Sequence, residues 1–261
     1  MRRTNLVTAL LGLVVFAVPL TASAQNGLPL KYSERPLTIT EGTIAIQGAF
    51  DYLKLPTLDL GPLGSVTPDP IISFVADVSY GISDDFEANI IAVPVVLSPD
   101  TKYGNPVLSG TFRFLKTAVE LGVHAGFVIP VQSGSNFQLN LGVPALFGLT
   151  DTTKILSGLY FNLDFGDSTI ATLRIPIEFA VNLTPQFFLD VFTGISMFDV
   201  DPDNLAIPLG VGLGYTLAAS ADSPLADLFV RFQFPAFLNA SGDTVVTDVF
   251  EFQLGARFFL N

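Results

Sequence analysis

Apolar and polar residues alternate along almost the whole chain. Ile44, Ile46, Gly48, Phe50 and Tyr52 interleave with Thr43, Ala45, Gln47, Ala49 and Asp51. Ile72, Phe74, Ala76, Val78 and Tyr80 oppose Ser73, Asp77 and Ser79, and after Ser83-Asp-Asp85 the alternation resumes as Phe86, Ala88 and Ile90 against Glu87 and Asn89. A period of two predicts strands rather than helices. Repeated to the C-terminus, it predicts about twelve strands of roughly 9–14 residues, the length a tilted membrane strand needs. The last sets Phe250, Phe252, Leu254, Phe258 and Leu260 against Glu251, Gln253, Gly255 and Arg257. It must pair with the first strand, near Thr43–Tyr52, if the sheet is to have no edge.

The two faces differ in kind. One is Leu, Ile, Val, Phe and Ala without charge. The other is Gly, Ser, Asn and Gln with scattered charges. A soluble sandwich also alternates, but its outer face must satisfy water more strongly than this mild polar face does. An uncharged face toward lipid and a polar face toward a lumen fit better. A closed barrel also pairs every backbone group in a bilayer. The expected fold is therefore all-β: a transmembrane antiparallel up-and-down barrel. Connections such as Ser83-Asp-Asp85, Lys116-Thr117 and Thr184-Pro-Gln186 are short. Leu55–Asp69, Ser98–Pro106 and Ala236–Thr247 are long and rich in Pro, Gly and Asp. With an even strand count, short turns and both termini are expected on the periplasmic side.

Composition sharpens this picture. Of 261 residues, 49% are hydrophobic and only 14% charged, and there is no Cys, where a soluble globule carries about 25% charged residues. Arg2-Arg3, the apolar run Leu6–Leu20 and Thr21-Ala-Ser-Ala24 read as a secretory signal peptide over residues 1–24. A periplasmic segment over 25–36 and a barrel over 37–261 follow. Loss of Arg2 and Arg3 takes the formal charge from −12 to −14, which disfavours nucleic acid as a partner.

These features resemble Gram-negative outer-membrane β-barrel proteins over residues 37–261. Gln253-x-Gly255-x-x-Phe258-x-Leu260 is similar to their C-terminal assembly signal, with one extra residue, Asn261. The resemblance implies an outer-membrane location, lipid and lipopolysaccharide as surroundings, and recognition by the barrel assembly machinery. Tyr80-Gly-Ile-Ser-Asp-Asp-Phe-Glu87 and Asn182-Leu-Thr-Pro-Gln-Phe-Phe-Leu189 are also similar to hairpins of transporter-like barrels grouped with phenol meta-pathway outer-membrane proteins. That likeness implies uptake of a small solute.

The candidate lumen lining is Asp77, Glu87, Arg113, Glu120, His124, Arg174, Glu178, Asp190, Arg231, Glu251 and Arg257, with Asp51, Asp164 and Asp227 on the same face. More acids than bases should favour neutral and cationic solutes over anions. A two-residue Lys116-Thr117 loop would set Arg113 directly opposite Glu120. His124 is the only histidine, and no nucleophile motif accompanies it, so neither catalysis nor a cofactor is expected. Asp199-Val-Asp-Pro-Asp203 spaces carboxylates like the start of a calcium loop but lacks the later Gly and Glu; a solvated loop is the simpler reading. Pro94, Pro130, Pro176, Pro208 and Pro235 are expected to end or bulge the ladder near the rim. Gly210, Gly212 and Gly214 leave one wall bare, for a solute, a loop or an N-terminal segment inside. The function these features predict is a narrow channel for small neutral or cationic solutes. The alternative is a structural or adhesive barrel with a blocked lumen, acting through its loops.

Overall fold

The structure is a computed structural model that describes residues 27–59, 64–91, 94–240 and 249–260. The expected signal peptide (residues 1–24), most of the Ala236–Thr247 connection and Asn261 lie outside the described residues. Twelve strands form the wall: β1 (Ile44–Lys54), β4 (Ile71–Ser83), β5 (Phe86–Ile91), β8 (Val107–Lys116), β9 (Val119–Val128), β10 (Phe137–Thr150), β11 (Thr153–Phe165), β12 (Thr169–Asn182), β13 (Phe187–Phe198), β14 (Leu205–Ala218), β15 (Pro224–Asn239) and β16 (Phe250–Leu260). Four short strands decorate the long connections: β2 (Leu58–Asp59) with β3 (Ser65–Val66), and β6 (Val95–Ser98) with β7 (Lys102–Tyr103).

Each wall strand pairs antiparallel with its neighbours in sequence. Closure is made by β1 and β16, whose register runs unbroken from Ile44↔Leu260 to Lys54↔Phe250. The other edge of β1 pairs with β4 from Ile44↔Tyr80 to Leu53↔Ile71. The expected twelve-stranded antiparallel barrel is thus present, with first strand joined to last. Both β1 and β16 reach the short-turn end, where Gly81 N–H donates to Thr43 O at 3.0 Å.

Burial is inverted relative to a soluble domain. The outer face carries Leu254 at 55% exposure, Phe50 at 53% and Phe114 at 53%. The largest fully buried side chains are Thr38, Thr43, Thr216, Asp190 and Ser79. Soluble monomers rarely expose apolar surface on this scale. An apolar outside around a polar inside is the polarity of a membrane barrel. No helix among the described residues is long and apolar enough to cross a membrane.

Two sequence expectations about the ladders change. Arg113 does not face Glu120. The turn lies one residue further along the chain, pairing Lys116 with Glu120, and beyond a bulge between Arg113 and Leu115 the partner of Arg113 is Gly122. The two-residue loop is Thr117-Ala118. Pro176 lies in the middle of β12 rather than near its end, whereas Pro208, near the start of β14, sits at a bulge as expected. Pairing of β11 with β12 skips from Ser157↔Ile177 to Tyr160↔Arg174, and the β14–β15 register shifts between Ile207 and Leu209. A proline has no N–H to donate, but the local carbonyls are still satisfied. Ser157 Oγ donates to Pro176 O at 2.9 Å, and Thr193 Oγ1 donates to Pro208 O at 2.8 Å.

Candidate functional site

Residues 27–43 do not join the sheet. They lie across the short-turn end of the barrel and are tied to its wall on every side. Leu30 N–H donates to Asp222 O at 3.1 Å in the β14–β15 turn, and Ser33 Oγ donates to Asp151 O at 3.1 Å in the β10–β11 turn. Ser33 N–H donates to Asn182 Oδ1 at 2.8 Å, and Thr38 Oγ1 donates to Asp84 O at 2.8 Å in the β4–β5 turn. Leu37 N–H donates to Glu120 Oε2 at 2.8 Å, and Ile39 N–H donates to Glu87 Oε2 at 2.9 Å. This segment has no strand or long helix to satisfy its backbone internally. Inward carboxylates of the wall accept from it instead. We call it the plug.

Its strongest anchor is Arg35, whose side chain is buried to 7% exposure against Asp227 at 6%. The guanidinium grips both carboxylate oxygens, with Nη2 at 2.9 Å from Oδ1, and Nη1 close on Oδ2. It also donates to Pro29 O, Leu30 O and Thr216 Oγ1, and Thr216 donates in turn to Asp227 Oδ1 at 2.8 Å. Tyr32 is the second anchor. Its ring stacks on Phe188 at 4.4 Å, with the Lys154 ammonium 4.0 Å from its centroid. Its hydroxyl donates to Glu178 Oε1 at 2.9 Å. Burial, reinforced by the Glu178 carboxylate, pushes the Tyr32 phenol well above its ordinary range.

Beyond the plug, the lumen holds a cavity of about 500 Å³ lined by Arg174, Glu178, Arg231 and Glu251, together with Asn140, Tyr160, Phe192, Ser196, Gln233 and Gln253. Glu178 joins the cavity to the plug: Oε1 accepts from Tyr32, and Oε2 lies 3.4 Å from Arg231 Nη2. Arg231 Nη2 also reaches Asp190 Oδ2 at 2.6 Å. Asp51 accepts from Gln253 Nε2 at 2.7 Å, and Glu251 accepts from Gln233 Nε2.

The remaining candidates scatter. Arg113 and Glu120 pair at 2.9 Å despite the shifted register, beneath the plug. Glu87 is occupied by Ile39 N–H. Asp77 accepts from Asn89 Nδ2 at 3.4 Å. Asp164 accepts from Asn136 and Gln138 near the opposite rim. His124 Nδ1 sits 3.0 Å from Thr111 Oγ1, with its ring edge-on to Tyr160. The Arg257 guanidinium lies 5.6 Å from the Phe259 ring centroid. Of the candidate C-terminal assembly-signal residues, Gln253 and Gly255 face the lumen, with Gly255 against the Phe229 ring. Phe258 and Leu260 lie on the opposite, lipid-facing parity. Asp201 of the acidic loop accepts from Asp203 N–H at 3.0 Å and caps a short 3₁₀ turn.

Several residues that shape the lumen were not among the sequence candidates. Phe188, Phe192, Phe229 and Phe259 point inward with Asp190, Arg231 and Arg257. Three of these rings rest on a glycine of the neighbouring strand. A Cβ on Gly214 would overlap the Phe188 ring, one on Gly210 the Phe192 ring, and one on Gly212 the Asp190 carboxylate. The glycine wall is therefore not open space. It is covered by β13 side chains, one of which supports Tyr32 of the plug. Lys154, at 2% exposure, is an inward base that the sequence analysis did not assign.

No protein-family model and no curated protein matches the sequence. The fold is similar to solved structures. The COG4313 outer membrane channel from Pseudomonas putida F1 superposes with a TM-score of 0.55 at 13% identity, covering 93% of this chain and 98% of that one. A NanC porin matches with a TM-score of 0.52 at 10% identity, covering 82% of this chain and 98% of that one. A KdgM porin matches with a TM-score of 0.50 at 12% identity, covering 80% and 98%. At these identities the likeness is one of fold.

Proposed function

We propose that the chain is a Gram-negative outer-membrane channel for small solutes, exported by its signal peptide, with the plug narrowing its short-turn mouth. The observation that carries this reading is the closed, apolar-coated barrel around a polar, charged cavity. The structures sharing its fold include a channel and two porins. Lumen acids still outnumber bases after Arg35 and Lys154 are added, which supports passage of neutral and cationic solutes over anions. Both termini then lie in the periplasm, with the plug on that side. The apolar band meets lipid and lipopolysaccharide, and Gln253, Gly255, Phe258 and Leu260 are read by the barrel assembly machinery.

The plug favours a second reading, a barrel blocked at one end that acts through its external loops. Liposome swelling separates the two. Faster swelling with small sugars and cationic amines than with matched anions supports the channel. A folded barrel that admits no solute of any charge supports the blocked form and refutes the channel.

A further inference from the structure

The charges lining the cavity are unevenly matched. Among the described residues, Arg35, Arg113 and Arg231 each hold a carboxylate within ion-pair distance. Arg174 holds none, although its side chain lines the cavity. Of the acids at the cavity, Glu178 is shared by Tyr32 and Arg231. Glu251 has only the neutral Gln233 amide, and the nearby Asp51 only the Gln253 amide. Of the four charged residues on the cavity wall, Arg174 is thus the cation without an anion, and Glu251 the anion without a cation. Buried Arg231 Nε and Asn140 Oδ1, on the same wall, also lack hydrogen-bond partners.

The two unmatched charges stand on well-separated strands. Arg174 is on β12 and Glu251 on β16, four strands away around the barrel, at about 4.8 Å per strand. Tyr160, the cross-strand partner of Arg174, and Phe192 supply apolar surface on the same wall. The volume, about 500 Å³, falls in the usual range for small-molecule sites, about 300–1,000 Å³.

We propose that this cavity binds a dipolar, net-neutral solute: its carboxylate on Arg174, its protonated amine on Glu251, and several carbons between them. A carboxylate suits the planar fork of an arginine, and an ammonium suits an acid already oriented by an amide. An α-amino acid, with its charges on one carbon, cannot reach both. For the solute's route the proposal rests on the channel reading, but the binding is measurable without it.

Isothermal titration calorimetry on the detergent-folded full-length barrel tests it with three probes: 6-aminohexanoate, hexanoate and hexylammonium. The dipolar probe should bind about tenfold tighter or more than either singly charged one, as expected for one added charge-assisted contact. Arg174→Gln should weaken 6-aminohexanoate and hexanoate and leave hexylammonium unchanged. Glu251→Gln should weaken 6-aminohexanoate and hexylammonium and leave hexanoate unchanged. Arg174→Lys, which keeps the charge, should retain most of the dipolar preference and guards against a folding defect. Equal affinities for the three probes, no binding by any, or losses that do not follow this assignment overturn the proposal. Solute passage with no dipolar preference in binding sinks this inference alone; dipolar binding to a barrel that passes no solute sinks the channel reading alone.

Discussion

Replacing Arg35 with Ala should release the plug. Arg35 and Asp227 form a buried pair in which the guanidinium serves both carboxylate oxygens, a threonine hydroxyl and two backbone carbonyls. Removing one partner of such a pair strands the other charge, at a cost of about 3–5 kcal/mol. If that difference falls on the closed state alone, the detached population rises roughly 150- to 5,000-fold. The chain has no cysteine, so Ser33→Cys introduces a single thiol at a site only 5% exposed. Its maleimide-labelling rate reports the detached fraction. Arg35→Ala should accelerate labelling within the stated range. Asp227→Asn should do the same to a smaller degree, because Thr216 can still donate to the amide oxygen. The double variant should fall short of the sum, since both substitutions break one interaction. A labelling rate within about threefold of the parent would show that the anchor is not what holds the plug.

Three further outcomes are expected. The Tyr32 phenol is raised above its ordinary 10.0 by burial and then by Glu178, so its contribution to closure is complete below about pH 10 and lost as pH rises beyond it; labelling at Ser33→Cys, corrected for the pH dependence of a free thiol, should accelerate only as pH rises above about 10, and Tyr32→Phe should flatten that rise. Gly214→Ala should destabilise the barrel by about 1–3 kcal/mol through overlap with Phe188, read as a lower urea midpoint. Gly148→Ala, where an added Cβ meets only Ala118 O at 3.6 Å, should be near neutral. Phe258→Ala should lower the yield of heat-modifiable barrel in the outer membrane of cells while leaving refolding in detergent intact; equal losses in both would place its role in stability rather than recognition.

Much of the barrel was legible because period-two alternation is a local signal and strand parity is rigid. Twelve strands, two faces and the β1–β16 closure all follow from it. The same parity was enough to place Lys154 with Tyr160 and Asn162, had the strand been extended back to Thr153. It also puts Phe188 and Phe192 with Asp190, and Phe229 with Arg231, but their apolar character argues for lipid. The resolving signal is a glycine on the adjacent strand, and that requires the register. The Arg113–Glu120 geometry differs for the opposite reason, since a turn at Thr117-Ala118 rather than Lys116-Thr117 moves the partner of Arg113 by two residues, from Glu120 to Gly122. The plug was only a possibility in the sequence. Residues 27–43 have no periodicity, and their partners lie as far as 192 positions away. Nothing local marks Arg35 as the residue that finds Asp227.

Single-channel recording in planar bilayers, on the parent and on Arg35→Ala, tests the central claim most directly. The plugged-channel account predicts small, infrequent steps from the parent and larger or longer-lived steps from the variant. A heat-modifiable, correctly folded barrel that stays silent in both forms would contradict it.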